Sequence, residues 1–276
     1  MSRLMALVAF TLLIAVPVWA ETLVFSPLPM ETPSTVASQW KPLLTYLEQT
    51  LGVTIEIDYS TSNDEVVTKF REGRLDLAYL GPLPYVVLRK TFPAAEPVVI
   101  FHEKNGQPVY TCAVATLATS PLTLKGLRGR TIALTQPLST CGYFATQGLL
   151  QQAGASLEAN RFRYLGQHDE VALAIVRGEF DAGGLKTAIA GKYAHLGLKV
   201  LAESPPFPGL SLVANRGKVS AERIRSLQQA LLNADPKRRE GWGENLRNGV
   251  SPASDGDFDG VRRLPLPATI PPKGNF

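Results

Sequence analysis

Short apolar runs alternate with segments whose apolar residues recur every three or four positions, and this alternation constrains the fold more than any other feature of the chain. Leu23-Val24-Phe25 reads as a first strand. Val36, Trp40, Leu43, Leu44, Leu47 and Leu51 then follow helical spacing, with Gly52 as a stop. Pro42 lies inside that pattern and is expected to bend or delay the helix. Val53–Tyr59 alternates as a strand, and Ser62-Asn63-Asp64-Glu65 opens a short helix closed by Gly73. Leu75–Gly81 is the next strand, and Pro82 begins another helix where proline is tolerated.

The rhythm continues with strands expected at 97–102, 109–115, 130–135, 161–165, 180–184, 198–202 and 210–214. Helices are expected at 141–153, 169–177, 186–195 and 220–233. Strands alternating with helices give an α/β fold, with two parallel or mixed sheets flanked by helices. Two polar, turn-rich stretches, 102–108 and 204–209, read as crossings between two lobes. One lobe is expected from 21–107 plus 206–276 and the other from 108–205. The last 25 residues, rich in Pro and Gly, are expected to wrap the first lobe.

Residues 1–20 read differently. Arg3 precedes a thirteen-residue apolar run, Leu4–Val16, which Pro17 ends, and Val18-Trp19-Ala20 puts small residues at −3 and −1. This is the pattern of a signal peptide cleaved after Ala20, and the run is short of the roughly 20 residues that span a bilayer. An exported chain in an oxidising compartment follows. The formal charge of +4 is scattered, with no basic block longer than Lys237-Arg238-Arg239, so nucleic-acid binding has no support. Two cysteines and no C-x-x-C leave neither a disulfide framework nor a zinc knuckle.

Several pieces occur in a fixed order: Trp40–Glu48 leading to Leu51-Gly52-Val53, Gly73–Pro82, Tyr110-Thr111-Cys112, Leu127–Leu134, Ser139-Thr140-Cys141-Gly142-Tyr143, His168, and Val176–Gly183. In that order and spacing the chain resembles the periplasmic solute-binding proteins for phosphonate, phosphite and phosphate. The resemblance implies a two-lobed periplasmic-binding-protein fold of type II with a hinge. It also implies a ligand in the interlobe cleft, delivery to an ABC importer, and no enzymatic activity. A monomer that docks on a membrane permease is expected.

Within that resemblance, Ser139, Thr140, Cys141 and Gly142 correspond to a turn that binds an oxyanion, and Tyr110 and His168 to residues lining the cleft. Elementary physics agrees in part. A helix N-terminus presents unpaired N–H groups and partial positive charge, and two hydroxyls beside it make an anion cradle. The competing reading is that Ser139 or Thr140 is only an N-cap. From the first lobe, the loop after Phe25, Asn63 and Tyr79 are expected to close over the ligand. Ala188 and Leu210 stand where aminophosphonate-binding members carry acids, and Asn63 where they carry Tyr. The expected ligand is therefore a small bare oxyanion.

Cys112 and Cys141 stand where the family usually has Ser, and three readings are open. They could form a disulfide stapling a strand to the anion turn. They could be thiolates for a thiophilic oxyanion such as arsenite, in a sensor that signals to a membrane histidine kinase. They could join His168 as a metal site. Cys141 and His168 as nucleophile and base lack a third orienting group. No cofactor is implied.

Overall fold

The computed structural model describes residues 21–29, 32–264 and 269–276. The expected signal peptide, 1–20, lies outside the described residues. No described helix is long and apolar enough to cross a membrane.

The first sheet is built from β1 (Glu21–Ser26), β2 (Val53–Ile57), β3 (Leu77–Leu80), β4 (Ala95–Phe101), β12 (Ser211–Asn215) and β13 (Val250–Pro252), in the order β13-β4-β12-β3-β1-β2. The second is built from β6 (Cys112–Leu117), β7 (Thr131–Leu134), β8 (Arg161–Tyr164), β9 (Ala182–Lys186) and β10 (Leu198–Glu203), in the order β10-β6-β9-β7-β8. Both sheets are mixed. In the first, β1 runs parallel to β2 and β3 while β12 runs antiparallel to β3 and β4. In the second, β7 runs parallel to β8 and β9 while β6 opposes β9. Between the sheets lies a two-stranded ribbon, β5 (Val109–Tyr110) paired antiparallel with β11 (Phe207–Pro208). The two polar crossings read from the sequence are thus hydrogen-bonded to each other and form one hinge element.

Helices cover both faces of each sheet because each carries one apolar stripe. On the first sheet, α1 (Pro33–Leu51) and α7 (Ala221–Leu232) bury Trp40, Leu43, Leu47 and Leu227 on one face. On the other face α2 (Asn63–Arg71), α3 (Pro82–Thr91) and α9 (Asp259–Arg263) bury Phe70, Leu83 and Val261. That second cluster continues through Cys112, Cys141, Phe144 and Phe207, so apolar packing joins the lobes behind the cleft. On the second sheet, α4 (Ala145–Gln152) lies on one face, and α5 (His168–Val176) with α6 (Thr187–Lys192) on the other. A one-turn helix, α8 (Pro236–Arg239), follows α7.

Three expectations are corrected. Helix α1 begins at Pro33, capped by Thr32, and runs through Pro42 without delay. Pro42 and Ser38, whose carbonyl loses its partner, are both exposed, so water satisfies the orphaned acceptor. The segment expected as a helix from 141 starts with a wide turn, Thr140–Phe144, and becomes regular only at Ala145. The chain end does not stay on the first lobe. Strand β13 and helix α9 do, but residues 270–276 run along β8. There Asn275 accepts from Phe162 N–H (2.7 Å) and donates to Phe162 O (3.0 Å) and Asn160 O (2.9 Å). One Asn supplies the pairing that an edge strand lacks, and the Phe276 ring lies under Arg161 and Arg163.

Candidate functional site

A cavity of about 720 Å³ opens between the two sheets. Its walls are the C-terminal ends of strands and the segments that follow them: Tyr79 and Gly81 at β3, Phe101–Lys104 after β4, Thr135 and Gln136 after β7, Lys186 at β9. This is where open α/β sheets place ligands. Of the residues singled out from the sequence, Asn63, Tyr79, Tyr110, Ser139, Thr140, Cys141 and His168 line it. Gly142 and Cys112 do not.

The wide turn is held from behind. Cys112 and Cys141 form a disulfide that ties β6 to the turn, and both are buried. With both sulfurs bonded to each other, neither the arsenite-thiolate reading nor the metal reading has its ligands, and no metal-binding cluster occurs among the described residues. The nucleophile–base reading fails for the same reason. Gly142 is required by the turn itself. A Cβ there would sit 2.7 Å from Gln136 O and 2.8 Å from Thr135 Oγ1.

Ser139 has the extended backbone of an N-cap, but its side chain makes no capping bond. The Thr140 hydroxyl accepts from Leu83 N–H (3.1 Å) at the start of α3, across from the other lobe. Gln136 also bridges the lobes, accepting from Asn63 N–H (3.2 Å) and donating to Pro29 O (2.9 Å). Burial raises the pKa of Tyr110, which hydrogen-bonds Thr140.

His168 opens α5, whose Gln167 cap makes no side-chain bond to the helix N-terminus. Its Nδ1 accepts from Lys186 N–H (3.1 Å). Burial, then the Lys186 charge, push its pKa from 6.5 down to about 4, with Asp169 opposing. The ring is therefore neutral at physiological pH, and Nδ1 as acceptor places the proton on Nε2. His168 is a neutral N–H donor at the cavity wall.

Tyr79 OH, Thr135 Oγ1 and Asn63 Oδ1 are buried without a hydrogen-bond partner, and all three residues line the cavity. Buried polar groups are ordinarily paired, so three orphans around one cavity point to a polar ligand. Tyr79 is otherwise fixed by ring contacts with Trp40 (4.8 Å) and Phe101 (5.3 Å). Tyr79→Phe is accordingly expected to leave thermal stability unchanged or raised by up to about 1 kcal/mol, because no bond is lost. The same substitution is expected to weaken ligand binding, as a melting curve and a titration on one sample will show.

Charged residues around the cavity escaped the sequence reading. Lys186 Nζ meets both Glu103 carboxylate oxygens at 2.6 Å, and Lys192 Nζ meets Asp169 Oδ1 at 2.6 Å. Lys104 pairs with Glu244. The absence of acids at Ala188 and Leu210 therefore does not leave the cleft without carboxylates; they come from other elements, each already engaged by a lysine. Only Lys186 carried a usable signal, its place at the C-terminal end of a strand.

The sequence pattern described as "ABC transporter, phosphonate, periplasmic substrate-binding protein" matches residues 25–258. A phosphate-import protein of Mycolicibacterium smegmatis is 27% identical, over 88% of this chain and 85% of that protein. A Prochlorococcus marinus protein solved with methylphosphonate superposes with a TM-score of 0.76 at 18% identity, over 88% of this chain and 96% of that one. A binding component of a Pseudomonas aeruginosa phosphonate ABC transporter gives 0.73 at 18% identity, over 88% and 85%. These two solved structures share the type II fold of periplasmic binding proteins.

Proposed function

The chain belongs to the periplasmic phosphonate-binding family of ABC-transporter substrate-binding proteins, and from that premise we propose that it captures one small phosphate-, phosphite- or phosphonate-like oxyanion in the cleft between its lobes. Proteins of this family hand a ligand to a membrane permease and do not transform it. The observation that supports the proposal is the set of buried, unpartnered polar atoms on Tyr79, Thr135 and Asn63, three residues that line one cavity together with the neutral His168 donor.

The ligand docks against the Ser139–Cys141 turn and the His168 Nε2–H on the second lobe. Tyr79 and Asn63 meet it from the first. Motion at the β5–β11 hinge closes the lobes, and the closed form is what the permease recognises. Residues 1–20 direct export to the periplasm, where the oxidising environment maintains the Cys112–Cys141 bond. The mature chain works as a monomer. An arsenite sensor coupled to a histidine kinase would first require that bond to be reduced.

Titration calorimetry with inorganic phosphate, phosphite and methylphosphonate tests this. At least one is expected to bind with 1:1 stoichiometry and to raise the melting temperature. His168→Ala is expected to weaken that binding by about 1.5–3 kcal/mol, the scale of one hydrogen bond to a charged group. Unchanged affinity in His168→Ala would place the ligand elsewhere.

A further inference from the structure

Three lysines line the cavity, and each is matched by a carboxylate that also lines it: Lys186 by Glu103, Lys192 by Asp169, Lys104 by Glu244. Among the described residues, no arginine lines it. The lysine and carboxylate charges of the described wall therefore cancel. Of its two histidines, His168 is held neutral, and burial and Arg239 lower the pKa of His102.

The Glu103–Lys186 pair is the most enclosed of the three, with side chains 19% and 18% exposed. The other two pairs are 41–71% exposed, so solvent screens them. Glu103 lies on the first crossing and Lys186 at the end of β9, so the pair ties the crossing to the second lobe at the cavity wall. Lys186 Nζ also sits 4.8 Å from the centre of the Tyr110 ring. The groups around the pair are Tyr79 on β3, Tyr110 on β5, Glu203 on β10 (bonded to Thr111), His168 on α5, and His102 and Lys104 beside Glu103.

We infer that Glu103 is a specificity-determining residue: by cancelling Lys186 it denies the cleft an uncompensated cation, so the site takes its oxyanion as the singly charged, protonated form and rejects the dianion. The inference rests on the oxyanion reading of the cleft. Stripping water from a second negative charge is expensive unless a cation compensates it, and apart from the cancelled Lys186 the enclosed wall offers neutral donors. A protonated oxyanion brings one charge for those donors and one O–H for the acceptors, among them the orphaned Asn63 Oδ1 and the Glu103 carboxylate.

The test is the pH profile of affinity, with inorganic phosphate and methylphosphonate as probes, from about one pH unit below to about one above each probe's second ionisation. If only the monoanion binds, the wild-type dissociation constant rises about tenfold per pH unit above that ionisation, as the competent fraction falls. Binding there takes up close to one proton per site, read as the dependence of calorimetric heat on buffer ionisation enthalpy. Glu103→Gln leaves Lys186 uncancelled and is expected to flatten or reverse the slope. Glu103→Gln combined with Lys186→Gln restores neutrality and is expected to restore the slope. A wild-type affinity that is flat or improves with pH overturns the inference and needs no variant to fold. A folded Glu103→Gln that keeps the tenfold slope also overturns it, while leaving the oxyanion reading intact. Failure of the wild type to bind either probe at any pH overturns both.

Discussion

Replacing Cys112 and Cys141 by Ala, or reducing the bond between them, is expected to lower the melting temperature by roughly 10 °C. The two sulfurs close a loop 29 residues apart in sequence. Opening a loop of that length returns chain entropy to the unfolded state worth about 3–4 kcal/mol. For a chain of this size each kcal/mol moves the transition by roughly 2–4 °C. Ligand affinity is expected to fall as well, because the bond anchors the Thr140–Phe144 turn to β6. Differential scanning calorimetry of the wild type with and without reductant, beside the double variant, checks both effects. Identical transitions with and without reductant, in a sample whose thiols have been titrated, would show that the bond contributes nothing.

Gly184→Ala carries the second large effect. Gly184 lies in β9 directly beneath the turn. A Cβ at this position would come within 1.8 Å of Thr146 Oγ1 and 2.9 Å of Cys141 O. Thr146 is fully enclosed and bonded to Cys141 O (3.2 Å), so it has no free space to enter. The backbone carbonyl of Cys141 can yield only if the turn moves outward. A destabilisation of about 3 kcal/mol is expected, the upper part of the range for overpacking. A larger loss of ligand affinity than of stability is expected with it, since the turn is displaced toward the cavity. Adding Thr146→Ala removes the hydroxyl contact but not the clash with Cys141 O, so it should recover stability only in part. Full recovery in the double variant would mean that the turn position is not set by Gly184.

The alternation of strands and helices was legible because each element carries its own local signal. Gly52 at positive φ ends α1, Ser62 caps α2, and Pro82 starts α3. The cleft position of Asn63, Tyr79, Tyr110, Ser139, Thr140, Cys141 and His168 was legible through the resemblance to the family. Long-range pairing was not. Glu103 and Lys186 are 83 residues apart, and nothing local in either segment announces the other. The docking of residues 270–276 on β8 uses the three hydrogen bonds of Asn275, the Tyr164 hydroxyl bond to Pro271 O and the arginine contacts of Phe276, none of which a periodicity encodes. Pro42 misled because the cost of an orphaned carbonyl depends on whether its face is wet, and a sequence does not show which face that is. Gly142 is needed for its approach to Gln136 O, a contact inside the turn.

The location of the bound ligand decides the matter most directly. In a crystal of this protein grown with methylphosphonate, the phosphonate oxygens are expected within hydrogen-bond reach of His168 Nε2 and the Tyr79 hydroxyl, about 2.6–3.2 Å, with the lobes closed around them. Phosphonate density on the outer surface with the cleft filled only by water would contradict it.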